Sequence, residues 1–192
     1  MIIDPGTGAY YSNSDLRGWL SSGAAHNGPH TSAARSPRRF GPFLWSEHHP
    51  KPSMVCTGKG TIIAEHNNAT ARRSIDVSDG NRAVVTDAMR SNHPQSFTVL
   101  WQFAPGAVCQ QIEPHTFRVT RQQATLDIAV GANWETVNLV TTHSPLNANA
   151  SEGTVSPHFR FVTWAPYLKL TASPADQRHP FTTTFSVVGE SS

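Results

Sequence analysis

Charge, cysteine and long apolar runs are all scarce in this chain, and each scarcity removes a class of function. Only 15% of the 192 residues are charged and the net charge is +2, too mild a balance for a module that grips nucleic acid by neutralising phosphates. The two cysteines, Cys56 and Cys109, show no metal-ligand or redox spacing, so two buried free thiols are expected rather than a bridge. No stretch is apolar for the length needed to cross a bilayer, which sets the membrane aside as a partner. Met1-Ile2-Ile3-Asp4 lacks the basic, apolar and small-residue sections of a signal peptide, so an export signal would lie upstream. Helical periodicity is missing from almost the whole chain.

What is present is a β pattern. With 38% hydrophobic residues the chain can close one substantial core, and residues 1–192 are expected to form a single domain. From Gly60 onward, β-branched or aromatic runs alternate with turn residues: 61–66, 72–77, 82–87, 96–103, 115–120, 124–130, 136–141, 159–164, 167–170 and 181–188. Phe97, Val99, Trp101 and Phe103 fall on every second position, as do Leu126, Ile128 and Val130 against Thr125 and Asp127, which places apolar side chains on one face of each strand. The expected fold is all-β: a meander of antiparallel strands in a multi-stranded β-sandwich, with Trp45, Trp101 and Trp164 in its core.

Before the strands, residues 28–52 are rich in Gly, Pro, Ser and Arg, yet Arg39-Phe40-Gly41-Pro42-Phe43-Leu44-Trp45 carries side chains that demand burial. This reads as a long packed loop with a short strand, and Arg35, Arg38 and Arg39 as its solvated face. Earlier still, an apolar strand starting at the first residue ends in Asp4, and Pro5-Gly6-Thr7-Gly8 forms a turn. Ser14 can cap one or two helical turns that Ser21-Ser22-Gly23 stop, after which the chain returns through His26-Asn27. Of the ten histidines, His26 and His30 are four apart, but Gly28-Pro29 between them argues against a helical metal site.

The order Asp4-Pro5-Gly6-Thr7, then Arg17, then His26-Asn27 resembles the C-terminal β-domain of the heparinase II/III-like polysaccharide lyases, where an apolar strand ending in Asp-x-Gly-Thr precedes an Arg-containing segment and His-Asn. The resemblance continues through Arg73 to Asp87, Trp101-Gln102-Phe103-Ala104-Pro105-Gly106 and Gly153-Thr154-Val155-Ser156-Pro157. It implies β-elimination at a uronic acid: removal of the C5 proton, neutralisation of the adjacent carboxylate and protonation of the departing 4-oxygen. In that family the catalytic Tyr and part of the neutralising set come from an upstream helical toroid, and another His from the strand before the Asp. The chain is therefore expected to be a fragment lacking both, inactive alone, whose parent is periplasmic or secreted. Its implied partners are an acidic polysaccharide and the upstream helical catalytic domain.

Residue by residue, the resemblance makes Asp4 and His26 ligands of a divalent metal, zinc, completed by a histidine from the missing strand, and leaves His26 as the one candidate for a catalytic role. Carboxylate oxygen and imidazole nitrogen suit zinc, but two ligands alone bind it poorly. The alternative is an Asp4 that accepts turn N–H groups of Gly6 and Thr7 and a His26 that donates to a carbonyl. Arg17, Asn27 and Tyr11 are the substrate-binding candidates. Against these stand a buried Arg17 that ties the loop to Asp15 or Asp4, and an Asn27 that orients His26 or is simply a satisfied loop amide. A different class of function, a non-catalytic carbohydrate-binding or domain-packing sandwich, fits the same β pattern. A free-standing two-ligand metalloenzyme does not, since the sequence offers no base and no further ligand.

Overall fold

The computed structural model describes residues 1–8, 14–31, 39–40, 44–45, 53–56, 59–66, 69–91, 95–142, 151–173 and 179–189. Among the described residues, a short helix α1 (Ser14–Leu20) and a 3-10 turn (Gly23–Ala25) precede sixteen strands. These are β1 (Pro29–His30), β2 (Arg39–Phe40), β3 (Leu44–Trp45), β4 (Ser53–Cys56), β5 (Lys59–His66), β6 (Ala69–Asp79), β7 (Arg82–Ser91) and β8 (Phe97–Gln102). There follow β9 (Val108–Glu113), β10 (Thr116–Arg121), β11 (Ala124–Val130), β12 (Thr136–Val140), β13 (Thr154–His158), β14 (Phe161–Trp164), β15 (Tyr167–Ala172) and β16 (Phe181–Val188).

Two antiparallel sheets carry the fold, one of order β4-β5-β6-β7-β16-β11-β10-β9 and one of order β1-β8-β15-β12, with β13-β14 and β2-β3 as separate hairpins. The all-β sandwich expected from the strand pattern is what forms. Its core lies between the sheets, where Phe97, Val99 and Trp101 of β8 and Leu168 and Leu170 of β15 meet Ile128 of β11 and Phe181 and Phe185 of β16. Aromatic edges close the gap: Phe97 sits 5.0 Å from Phe181 and Trp101 4.9 Å from Phe185, both in edge-to-face geometry. Each fully buried ring of this kind contributes roughly 1.5–3 kcal/mol.

Four expectations need correction. The meander is interrupted, because β8 leaves for the other sheet and β16, last in the chain, inserts between β7 and β11. No strand forms at the first residues; Ile2 makes only an isolated bridge to Phe103, flanked by Ile3 N–H to Gln102 O (3.0 Å) and Ala104 N–H to Met1 O (2.8 Å). The run 159–164 is broken at Phe159-Arg160 into a turn between β13 and β14. The outer face of β8 is not solvated either: Leu100 and Gln102 are buried along with the core-facing residues, and the Gln102 amide donates to the Pro166 carbonyl at 2.9 Å. Trp101 is buried and Trp164 half-buried, while the Trp45 side chain falls outside the described residues. Cys109 is a free thiol, half-buried rather than buried.

Candidate functional site

Two segments converge on one edge of β8. The carbonyl of Gln102 accepts from Ile3 N–H, and its N–H donates to Asn27 Oδ1 at 2.7 Å, so the first residues and the loop before β1 lie along the same edge. Asn27 Nδ2 donates to the Ile3 carbonyl at 2.8 Å, tying these two segments to each other. The side chains of Asp4 and His26 consequently stand together, 22 positions apart in sequence, with His26 Nδ1 2.7 Å from Asp4 Oδ2. The other carboxylate oxygen, Oδ1, accepts the Gly6 N–H at 2.9 Å.

This geometry decides the tautomer. A carboxylate only accepts, so Nδ1 carries the proton and the neutral imidazole holds its lone pair on Nε2. The pair is open to water, with side-chain exposures of 38% for His26 and 64% for Asp4.

The turn after Asp4 is fixed by close packing. Gly6 has φ +76, and a Cβ there would collide with the carbonyl oxygen of Ser156 in β13. The Pro5 carbonyl accepts from Ser156 N–H at 2.6 Å. Only glycine lets the backbone both take this conformation and approach the strand so closely.

Arg17 projects from α1 and is buried; its Nη1 donates to the Thr7 carbonyl at 2.7 Å. This bond ties α1 to the turn after Asp4, whereas the alternative reading of the sequence had Arg17 tie the loop to Asp15 or Asp4. Asn27 is likewise engaged at both ends of its amide, so it holds the loop under His26. Tyr11, like Tyr10, lies outside the described residues, as do Arg35 and Arg38.

Sequence reasoning missed the support beneath His26. Arg73 of β6 makes a two-pronged pair with Asp87 of β7, at 2.7 and 2.8 Å, and also donates to the Asn27 carbonyl. Its guanidinium lies 4.7 Å from the Trp101 ring centroid. Burial pushes the Asp87 carboxyl up from the ordinary value, and its bonds and charge contact with Arg73 pull the other way. An Arg and an Asp on neighbouring antiparallel strands were the available signal, but only the register Arg73↔Asp87 makes them partners.

A second polar group lies nearby on β15. Tyr167 donates to Glu152 at 3.1 Å and Lys169 Nζ to the same carboxylate at 2.6 Å. Burial and then the Glu152 charge push the Tyr167 phenol up to about 12, so it is a donor and not a proton acceptor near neutral pH.

The oxygen and nitrogen donors suit zinc in kind, but no group of three His, Cys, Asp or Glu residues occurs among the described residues. Among them too, no helix is long and apolar enough to cross a membrane.

The family profile described as "Heparinase II/III-like, C-terminal" matches residues 1–165. Among solved structures, the chain is similar to a heparinase III, the BT4657 gene product, with TM-score 0.67 and 14% identity over 97% of this chain and 28% of that one. It is similar as well to the heparan sulfate lyase HepC from Pedobacter heparinus, with TM-score 0.67 and 14% identity over 100% of this chain and 29% of that one. The chain thus spans under a third of the length of the structures it resembles. A search of curated protein sequences gives no match. On the strength of the profile, which covers most of its length, this chain belongs to the heparinase II/III-like C-terminal family.

Proposed function

We propose that the chain is the C-terminal β-domain of a polysaccharide lyase that cleaves uronic-acid polymers by β-elimination, and that it lends Asp4 and His26 to a site completed by an upstream helical domain. The observation that carries this reading is the Asp4–His26 contact at 2.7 Å within a chain of this family.

Asp4 holds the imidazole in one tautomer and presents Nε2 outward, where it can coordinate an ion or handle a proton at the reacting sugar. Asn27 and Arg73 fix the height of the loop, and Arg17 fixes the turn that carries Asp4. A divalent ion held by Asp4, His26 and a ligand from the preceding strand would supply a permanent positive charge at this edge. With two donors only, the chain by itself binds zinc weakly. The polymer places the parent outside the cytoplasm, secreted or periplasmic, since acidic polysaccharides of this kind are extracellular.

Ultraviolet absorbance of the conjugated, unsaturated uronate product tests the division of labour. The isolated chain should give no product from heparan sulfate or alginate, whereas the longer protein with its helical domain should. Turnover by the isolated chain would contradict the proposal.

A further inference from the structure

The hairpin β13-β14 is anchored at its base and bare at its tip. At the base Val155 is fully buried, Ser156 holds the Pro5-Gly6 turn, and Ala165 N–H donates to the Gly153 carbonyl at 2.8 Å. Gly153, φ +79, lets the strand pass so close to Trp164 that a Cβ would strike the indole. At the tip, Phe159, Phe161 and Val162 are 55%, 48% and 41% exposed. Large apolar side chains gathered in this way on an otherwise polar turn mark a contact surface.

The tip is not merely apolar. His158 stacks on Phe161 across the hairpin, with ring centroids 4.8 Å apart and planes at 18°. The Arg160 guanidinium lies 5.4 Å from the Phe159 ring centroid. Arg160 has φ 64, a left-handed position at which glycine or asparagine is the favourable choice and an arginine is strained. The left-handed turn thus holds a permanent cation against the exposed Phe159 ring, beside the His158–Phe161 stack.

Its place in the fold matters as much as its chemistry. Ser156 grips the Asp4 turn, and His158 follows two residues later, about 7 Å further along the strand at about 3.3 Å per residue. The hairpin that carries the tip is thereby tied directly to the turn that carries Asp4.

We infer that the Phe159–Phe161 tip is a subsite for an acidic polysaccharide, an inference that rests on the lyase reading and extends it. The rings of Phe159 and Phe161 take the apolar faces of pyranose units, and Arg160 pairs with a carboxylate or sulfate through its planar fork. The rigid base keeps the tip pre-formed, so little ordering opposes binding.

Isothermal titration of the 192-residue chain with heparan sulfate and alginate oligosaccharides, and with neutral dextran as control, tests this. Arg160→Gly removes the cation while relieving the left-handed strain, so its melting temperature should hold or rise; Phe161→Ala removes one platform. Each variant should weaken binding to the acidic oligosaccharides by about tenfold, and added salt should weaken the wild type more than Arg160→Gly. Wild-type and variant affinities that coincide, no binding by the wild type, or equal binding of dextran would each overturn the subsite. So would variants that bind sugar normally but lose contact with the upstream domain, which would make the tip a protein contact. A longer protein that cleaves no uronate polymer, yet binds it through the tip, would defeat the lyase reading and leave the subsite standing.

Discussion

Replacing Arg73 by Ala should destabilise the domain far more than an ordinary strand substitution, and in a pH-dependent way. The Asp87 side chain is 1% exposed and Arg73 12% exposed, and the two share a pair of charge-assisted hydrogen bonds. Truncating Arg73 leaves a buried carboxylate without its counter-charge, a change that typically costs about 3–5 kcal/mol. Loss of the contact over Trp101 and of the bond to the Asn27 carbonyl belongs to the same truncation and sets the upper part of that range. For a domain of this size each 1 kcal/mol moves the melting temperature by roughly 2–4 °C, so a fall of about 6–20 °C is expected.

The Asp87 carboxyl is already raised in the folded protein, chiefly by burial, and without Arg73 it rises further. A carboxyl whose folded pKa exceeds its unfolded one loses stability as pH climbs through that window and regains it as pH falls. The deficit of Arg73→Ala should accordingly be largest near neutral pH and shrink on acidification. Melts followed by circular dichroism at neutral and mildly acidic pH measure both effects. A double replacement of Arg73 and Asp87 by Leu should recover much of the loss. A fall of under about 2 °C, or one that ignores pH, would refute the reasoning, since a carboxylate left buried and ionised cannot be that cheap.

Two further outcomes follow from packing. Gly6→Ala should cost about 1–3 kcal/mol, because its left-handed backbone and the Ser156 carbonyl both exclude a Cβ; an unchanged urea midpoint would mean that the turn yields freely. Cys109, half-buried with its thiol pushed up to about 11 by burial, should alkylate much more slowly in the folded chain than in urea at mildly alkaline pH, as read by peptide mass spectrometry; equal rates would contradict that environment.

The sequence was readable wherever a signal was local. Alternation in Leu126, Ile128 and Val130 set the inward face of β11, and the Ser14–Leu20 segment formed its helix. Asp4 and His26 were legible as partners through the resemblance of Asp4-Pro5-Gly6-Thr7 and His26-Asn27 to the family pattern, and the return of the chain after the Pro5–Gly23 excursion does bring them together. What was not legible depends on contacts far apart in the chain. Nothing near Phe181 says that its strand enters between β7 and β11, and the Arg73–Asp87 pair needs the register of that same sheet. Leu100 and Gln102 looked like the wet side of an alternating strand; they are buried because β8 is central in its sheet and covered on both faces. In Phe159 to Trp164, β-favouring side chains hid a two-residue turn, because no Gly or Asn marks the left-handed position that Arg160 occupies.

The central claim is that Asp4 and His26 belong to a lyase centre shared with an upstream domain. The most direct test is His26→Ala in the longer protein, with uronate release and the melting temperature measured on one preparation. Loss of a group that acts on the transition state should lower kcat/KM by about 100-fold or more, while an exposed side chain like this one should move stability by only about 0.5 kcal/mol. Full activity in the variant, or a loss of activity that merely follows unfolding, would contradict the account.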